Sequence, residues 1–244
     1  MRITRTGASG SYSYSVTPRY AKHPVTHIRF FDAMRFVNWL ENGQNEGEIE
    51  RGTYAIGTGV SEARAEDAKY FIPTDEEWYK AAFYDPTLAD GAGGYWKYAT
   101  QSNSFLTFER PAGGTNSVNT AESKVGGTTE VGAYTNSTSY YGTFDQTGNV
   151  GEWTETIVQS GDLPAGRRKR LPSWGDSVFF VTSGGTTLAG RYDRAAAAPF
   201  TGFRVARRAM IPGDADLDGE FNSSDFTKVF QVGKYESDDP ARWN

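Results

Sequence analysis

Apolar residues recur at helical spacing in "FFDAMRFVNWLENG", where Phe30, Ala33, Met34, Val37 and Leu40 fall on one face and Gly43 stands where the run should stop. A second helix is predicted from "IPTDEEWYKAAFYD". Thr74 can accept a bond from the backbone of Glu77, Glu77 can return one to Thr74, and Asp75 and Glu76 favour the first turn. Trp78, Ala81 and Ala82 would then face inward. From Ala89 to Gly142 the chain is rich in Gly, Asn, Ser, Thr and Tyr without sustained periodicity, which predicts long loops and short strands. "SVFFVTS" and "GFRVARR" are the strand candidates downstream, and no internal repeat is found. After Arg208 a Pro-Gly break opens an acidic stretch, so a boundary is expected near residue 210, with a main domain over 1–210 and a tail over 211–244.

Charge and composition narrow the function classes. The 244 residues carry 25 Lys and Arg against 30 Asp and Glu, a net charge of −5, which is the wrong field for nucleic acid or anionic lipid. The one basic run, Arg167, Arg168, Lys169 and Arg170, reads as a solvated loop edge. No apolar run is long enough for a membrane span, and the opening residues lack the apolar core of a signal peptide. The chain contains no cysteine, hence no disulfide, thiolate metal site or cysteine nucleophile.

The tail carries one metal motif. Counted from Asp214 as position one, Asp216 is three, Asp218 five, Gly219 six, Glu220 seven, Asn222 nine and Asp225 twelve, which is the ligand spacing of a calcium loop. Alternating carboxylates repel one another unless a cation neutralises them, and the competing reading is an acidic surface turn. Phe226, Val229 and Phe230 would lie on one face of a following helix. This segment resembles a dockerin-like calcium repeat, whose loops also end in aspartate. Such repeats work in pairs and only one is present, so the tail is expected to be incomplete. The resemblance implies an extracellular or cell-surface protein.

Five ordered segments carry a second resemblance. They are "PVTHIRFFDAMRFVNWL", "YFIPTDEEWYKAA", "YGTFDQTGNVGEWTE", "RLPSW" and "GFRVA", and together they are similar to the formylglycine-generating enzyme, or sulfatase-modifying factor, domain family over roughly residues 24 to 207. What this implies is an α+β, C-type-lectin-like fold with much irregular loop, plus the small loop-helix calcium tail. It also implies calcium held by the side chains of Asp145 and Glu152 and the backbone oxygens of Gly148 and Val150. The alternative at that motif is an ordinary tight turn with Asn149 at positive φ and Glu152 in a salt bridge. Gly151 stands where the family has tryptophan, and a further family calcium site would fall upstream, around Asn119. No Gly-x-Tyr-Glu-Val-Thr segment precedes "SYSYSVTPRYAKHPV", so the family's opening strand is expected to be missing.

The resemblance breaks at the catalytic centre. The family oxidises a substrate cysteine with copper and oxygen through two cysteines between the Ser-Trp and Gly-Phe-Arg motifs, and ungapped counting puts Asp176 and Val181 opposite them. Monovalent copper wants soft sulfur ligands, so copper is not expected here. A sister activity with non-haem iron uses three histidines, and this chain has only His23 and His27, read as surface or loop residues. Two function classes follow. The first is a calcium-stabilised binding module whose loops from Ser173 to Arg194 meet a protein, peptide or glycan ligand through Trp174, Arg191, Tyr192 and Asp193, with core packing and salt bridging as the competing roles. In a variant, those loops form a hypervariable display surface. The second is an enzyme using the same cleft, which turnover of a sulfatase-type peptide would reveal.

Overall fold

The computed structural model describes residues 3–44, 47–57, 61–158, 166–177 and 200–208. Arg191, Tyr192, Asp193 and the tail residues Asp214, Asp216, Asp218, Glu220, Asn222 and Asp225 lie outside them, as do most of "SVFFVTS" and the expected boundary near residue 210. By compactness the chain divides into two units, one of Met1–Phe30 with Pro73–Arg204 and one of Phe31–Ile72 with Val205–Asn244.

In the first unit, helix α2 (Asp75–Phe83) starts on the expected capping box, with Glu77 N–H donating to Thr74 Oγ1 at 3.2 Å and Thr74 N–H donating to Glu77 Oε2 at 2.7 Å. Trp78, Ala82 and Phe83 are buried with Ala99 in one apolar cluster, while Ala81 is only half-buried. The centre of the unit is a three-stranded sheet. Its middle strand, Gly151–Val158, pairs in parallel with Thr201–Phe203 and antiparallel with Gly166–Arg170, the second ladder being interrupted between Trp153 and Ile157. Trp153 packs edge-on to Phe30 and donates its indole N–H to the Ile28 carbonyl at 2.8 Å. Between α2 and this sheet the chain is mostly loop, with two-residue strands such as Thr107–Phe108 and Ser117–Val118 and single-turn 3-10 helices. That irregularity matches the aperiodic composition of 89–142.

Ile3–Thr6 forms a strand paired antiparallel with Ser13–Val16, and the turn between them uses Gly7 and Gly10 at positive φ. One sequence expectation is corrected here. The Arg167–Arg170 run is not a solvated loop edge. It is a strand of the central sheet, with Arg167 and Arg170 buried. Arg170 grips Asp75 with Nε to Oδ1 at 2.5 Å and Nη2 to Oδ2 at 2.6 Å, and its guanidinium lies 5.2 Å from the ring centroids of Trp78 and Tyr79. Arg167 covers the Phe30 ring at 4.6 Å. Guanidinium groups are weakly hydrated, so carboxylate and aromatic faces together offset their desolvation.

The second unit contains all but the first residue of helix α1 (Phe30–Glu41). Its Ala33, Met34 and Val37 are fully buried, as the spacing predicts. The helix stops at Gly43, φ 78°, with Gln44 N–H reaching the Trp39 carbonyl and Gly43 N–H that of Leu40, the paired bonds of a glycine C-cap. Buried Asn38 organises the following loop by donating to the Ile49 and Tyr54 carbonyls and accepting from Tyr54 N–H. Ala206–Arg207 pairs antiparallel with Tyr70–Phe71. Among the described residues no helix is long and apolar enough to cross a membrane.

Candidate binding cleft and the turn behind it

The segment "DQTGNVGE" forms a strained turn that feeds the central strand. Asp145 and Asn149 both adopt φ 62°, and Gly148 adopts φ 112°. A Cβ on Gly148 would lie 2.5 Å from the Asn119 carbonyl oxygen, so only glycine fits. Asn149 ties the turn in three directions: its N–H donates to the Asn119 carbonyl, its Oδ1 accepts from Thr129 N–H, and its carbonyl accepts from Trp174 N–H at 2.9 Å. Asn119 is itself buried, with its amide donating to Gly127 and its Oδ1 accepting from Ser123. Gly151 leaves no room for the tryptophan the resemblance would place there, because even a Cβ would stand 2.8 Å from Leu171 Cδ2 and 3.2 Å from the Arg170 carbonyl oxygen.

The two carboxylates of the turn have different partners. Glu152 is buried, and both its oxygens are engaged: Arg204 Nε donates to Oε2 at 2.5 Å, Arg204 Nη2 to Oε1 at 2.6 Å, and Trp78 Nε1 to Oε2 at 2.6 Å. Burial works against the Arg204 charge, but the Glu152 charge, its hydrogen bonds and the Asp145 charge together hold the guanidinium above its usual value. Asp145 accepts from Gly132 N–H at 2.8 Å. Burial pushes its carboxyl up from the usual range and the Glu152 charge adds to this, while the Gly132 and Asn149 hydrogen bonds oppose it.

A calcium ion at Glu152 would have to share that carboxylate with a guanidinium already bonded to both oxygens. The set Asp145, Gly148, Val150 and Glu152, as built, therefore does not fit the cation site the resemblance implies, and the tight turn with an ion pair is what stands there. Among the described residues no group of three or more His, Asp or Glu side chains gathers as metal ligands. Sequence reasoning named Glu152 but missed its partners Arg204 and Trp78, which lie 52 and 74 residues away along the chain.

Beside the turn, at the start of the stretch where the family keeps its catalytic cysteines, Asp176 folds back on Ser173. Its Oδ2 accepts from Ser173 N–H and from Ser173 Oγ, each at 2.7 Å. Next to it Trp174 packs edge-on to Phe200, with ring centroids 4.9 Å apart. These two rings line a cleft of about 670 Å³ whose other wall is residues 19–27 and the N-terminal hairpin. His23 and His27 both reach this cleft. His23 is half-buried and shares a 2.9 Å hydrogen bond with Thr128, and His27 is exposed at φ 63°. The second wall is fixed to the sheet: Ile28 N–H donates to the Thr201 carbonyl, and Gly202 passes so close that a Cβ would lie 2.6 Å from the Val25 carbonyl oxygen.

A family model described as "Sulfatase-modifying factor enzyme 1-like domain" matches residues 4–209. The chain belongs to this family. Among solved structures, one titled "Crystal Structure of CarF" is similar at 24% identity with a TM-score of 0.52, covering 76% of this chain and 67% of that one, a likeness of fold. No curated protein matches. The mixed content of short helices, small sheets and irregular loop is consistent with the α+β fold of the sulfatase-modifying factor domain.

Proposed function

We propose that the chain is a sulfatase-modifying-factor-type domain that has given up oxidation and acts as a ligand-binding module. The absence of any cysteine from the 244 residues carries this reading. Asp176, opposite the family's first catalytic cysteine in the ungapped count, keeps its Oδ2 on Ser173 and offers copper no soft ligand. What remains is a cleft within the usual size range of ligand sites, roughly 300–1,000 Å³, walled by aromatic rings on a scaffold pinned by the Asn149 turn. Trp174 is the anchor within it, and Arg191, Tyr192 and Asp193 extend the contact surface in this reading. Its ligand is a peptide, protein or glycan feature presented outside the cell. The extracellular setting and the calcium requirement rest on the tail alone, where the loop from Asp214 to Asp225 has calcium spacing.

The test is a peptide and glycan array probed with the pure chain and with Trp174→Ala, both checked for equal melting temperature. Hits that vanish in the variant support the module. An array empty for both proteins, or hits indifferent to Trp174, contradicts it.

A further inference from the structure

The cleft beside Trp174 has a charge pattern opposite to that of the chain. The protein carries 30 acidic against 25 basic residues, yet the described residues lining this cleft include Arg19, His23 and His27 and no aspartate or glutamate. The nitrogen bases come from residues 19–27, and Trp174 and Phe200 add apolar surface to the same lining. We infer, resting on the binding-module reading above, that the cleft takes the anionic part of that ligand: a carboxylate or sulfonate group carried on an apolar or aromatic body.

Three features of that wall support the assignment. The Arg19 guanidinium sits 4.7 Å from the Tyr20 ring centroid, and stacking on a ring restrains the fork while leaving its N–H edge to receive an oxyanion. The His23 ring meets the same tyrosine edge-on at 5.2 Å and is hydrogen-bonded to Thr128, so ring and fork are positioned together. His27, also in the lining, occupies a left-handed backbone conformation that non-glycine residues seldom adopt, and its Nδ1 is paired with Thr26 Oγ1 at 3.1 Å. An anion approaching a protein of net charge −5 is repelled at long range, so the local cation Arg19, with no carboxylate among the described lining residues, is what makes such a site selective. A neutral ligand of the same shape would gain the apolar contacts alone.

The experiment compares 2-naphthoate with 2-naphthylmethanol, a neutral probe of nearly the same shape, by calorimetric titration of the full chain at low salt. The expected result is about tenfold tighter binding of the naphthoate. Arg19→Gln removes most of that preference and leaves the neutral probe unchanged, Arg19→Lys keeps part of it, and Trp174→Ala weakens both probes. Arg19 is exposed, so the substitution is not expected to unfold the protein, and melting temperature checks this. Equal affinity for the two probes, or a preference untouched by Arg19→Gln, overturns the anion assignment while leaving the cleft as a binding site. Failure of both probes to bind, or binding indifferent to Trp174→Ala, overturns the cleft itself and this inference with it.

Discussion

Arg204 and Glu152, 52 residues apart, form a two-pronged ion pair beneath the turn, with donor–acceptor distances of 2.5 and 2.6 Å. Trp78 supplies a third hydrogen bond from α2, so one buried carboxylate joins the helix, the central strand and the end of the sheet. Removing one member leaves the other charge buried without an opposite charge, which costs far more than the pair contributes to stability. Glu152→Ala is expected to lower stability by about 3–5 kcal/mol, read from urea denaturation. A loss under about 1 kcal/mol contradicts the structural role.

Calcium should act at the tail and not at this pair. The expected outcome is a calcium-dependent rise in melting temperature that Asp216→Asn in the tail loop abolishes. Should the rise survive Asp216→Asn and disappear in Asp145→Asn, the turn holds the cation after all.

Asp145 gives a pH signature. Burial raises its folded-state pKa above the unfolded value, so the protonated carboxyl is the better guest of the fold. Its contribution is therefore most favourable below the unfolded value of about 3.9 and is lost as pH rises through the raised pKa. Asp145→Asn mimics the protonated form and can still accept from Gly132. It should be more stable than the parent at pH 7 and indistinguishable at acid pH, as melting temperature against pH would show.

Gly151 is predicted to be costly to replace. Gly151→Ala pushes a methyl against Leu171 and the Arg170 carbonyl, and is expected to cost about 1–3 kcal/mol by chemical denaturation, with the family's own tryptophan costing more. A neutral Gly151→Ala would mean that Leu171 yields freely.

The helix signals were legible because they are local. Thr74 and Glu77 are three residues apart and form their capping box as spelled, and Gly43 ends α1 where the apolar period ends. The turn at Asn149 was equally readable, since Gly-Asn permits positive φ. What could not be read locally was the fate of charge. Arg167–Arg170 looked solvated because nothing nearby in sequence announces Asp75 or Phe30 as partners, and four consecutive cations carry no strand periodicity. Glu152 looked like a metal ligand for the same reason: Arg204 meets it only after the sheet closes. The cleft is assembled from residues 3–27, Trp174 and Phe200, which no window of sequence joins.

The central claim is that this domain binds and does not oxidise. The most direct test incubates a Cys-x-Pro-x-Arg peptide with the full chain, oxygen, copper and calcium and follows the cysteine by mass spectrometry, with a folded melting transition as control. The account predicts no aldehyde above the protein-free blank. Catalytic conversion to formylglycine would contradict it, since this chain has no thiol to hold the copper.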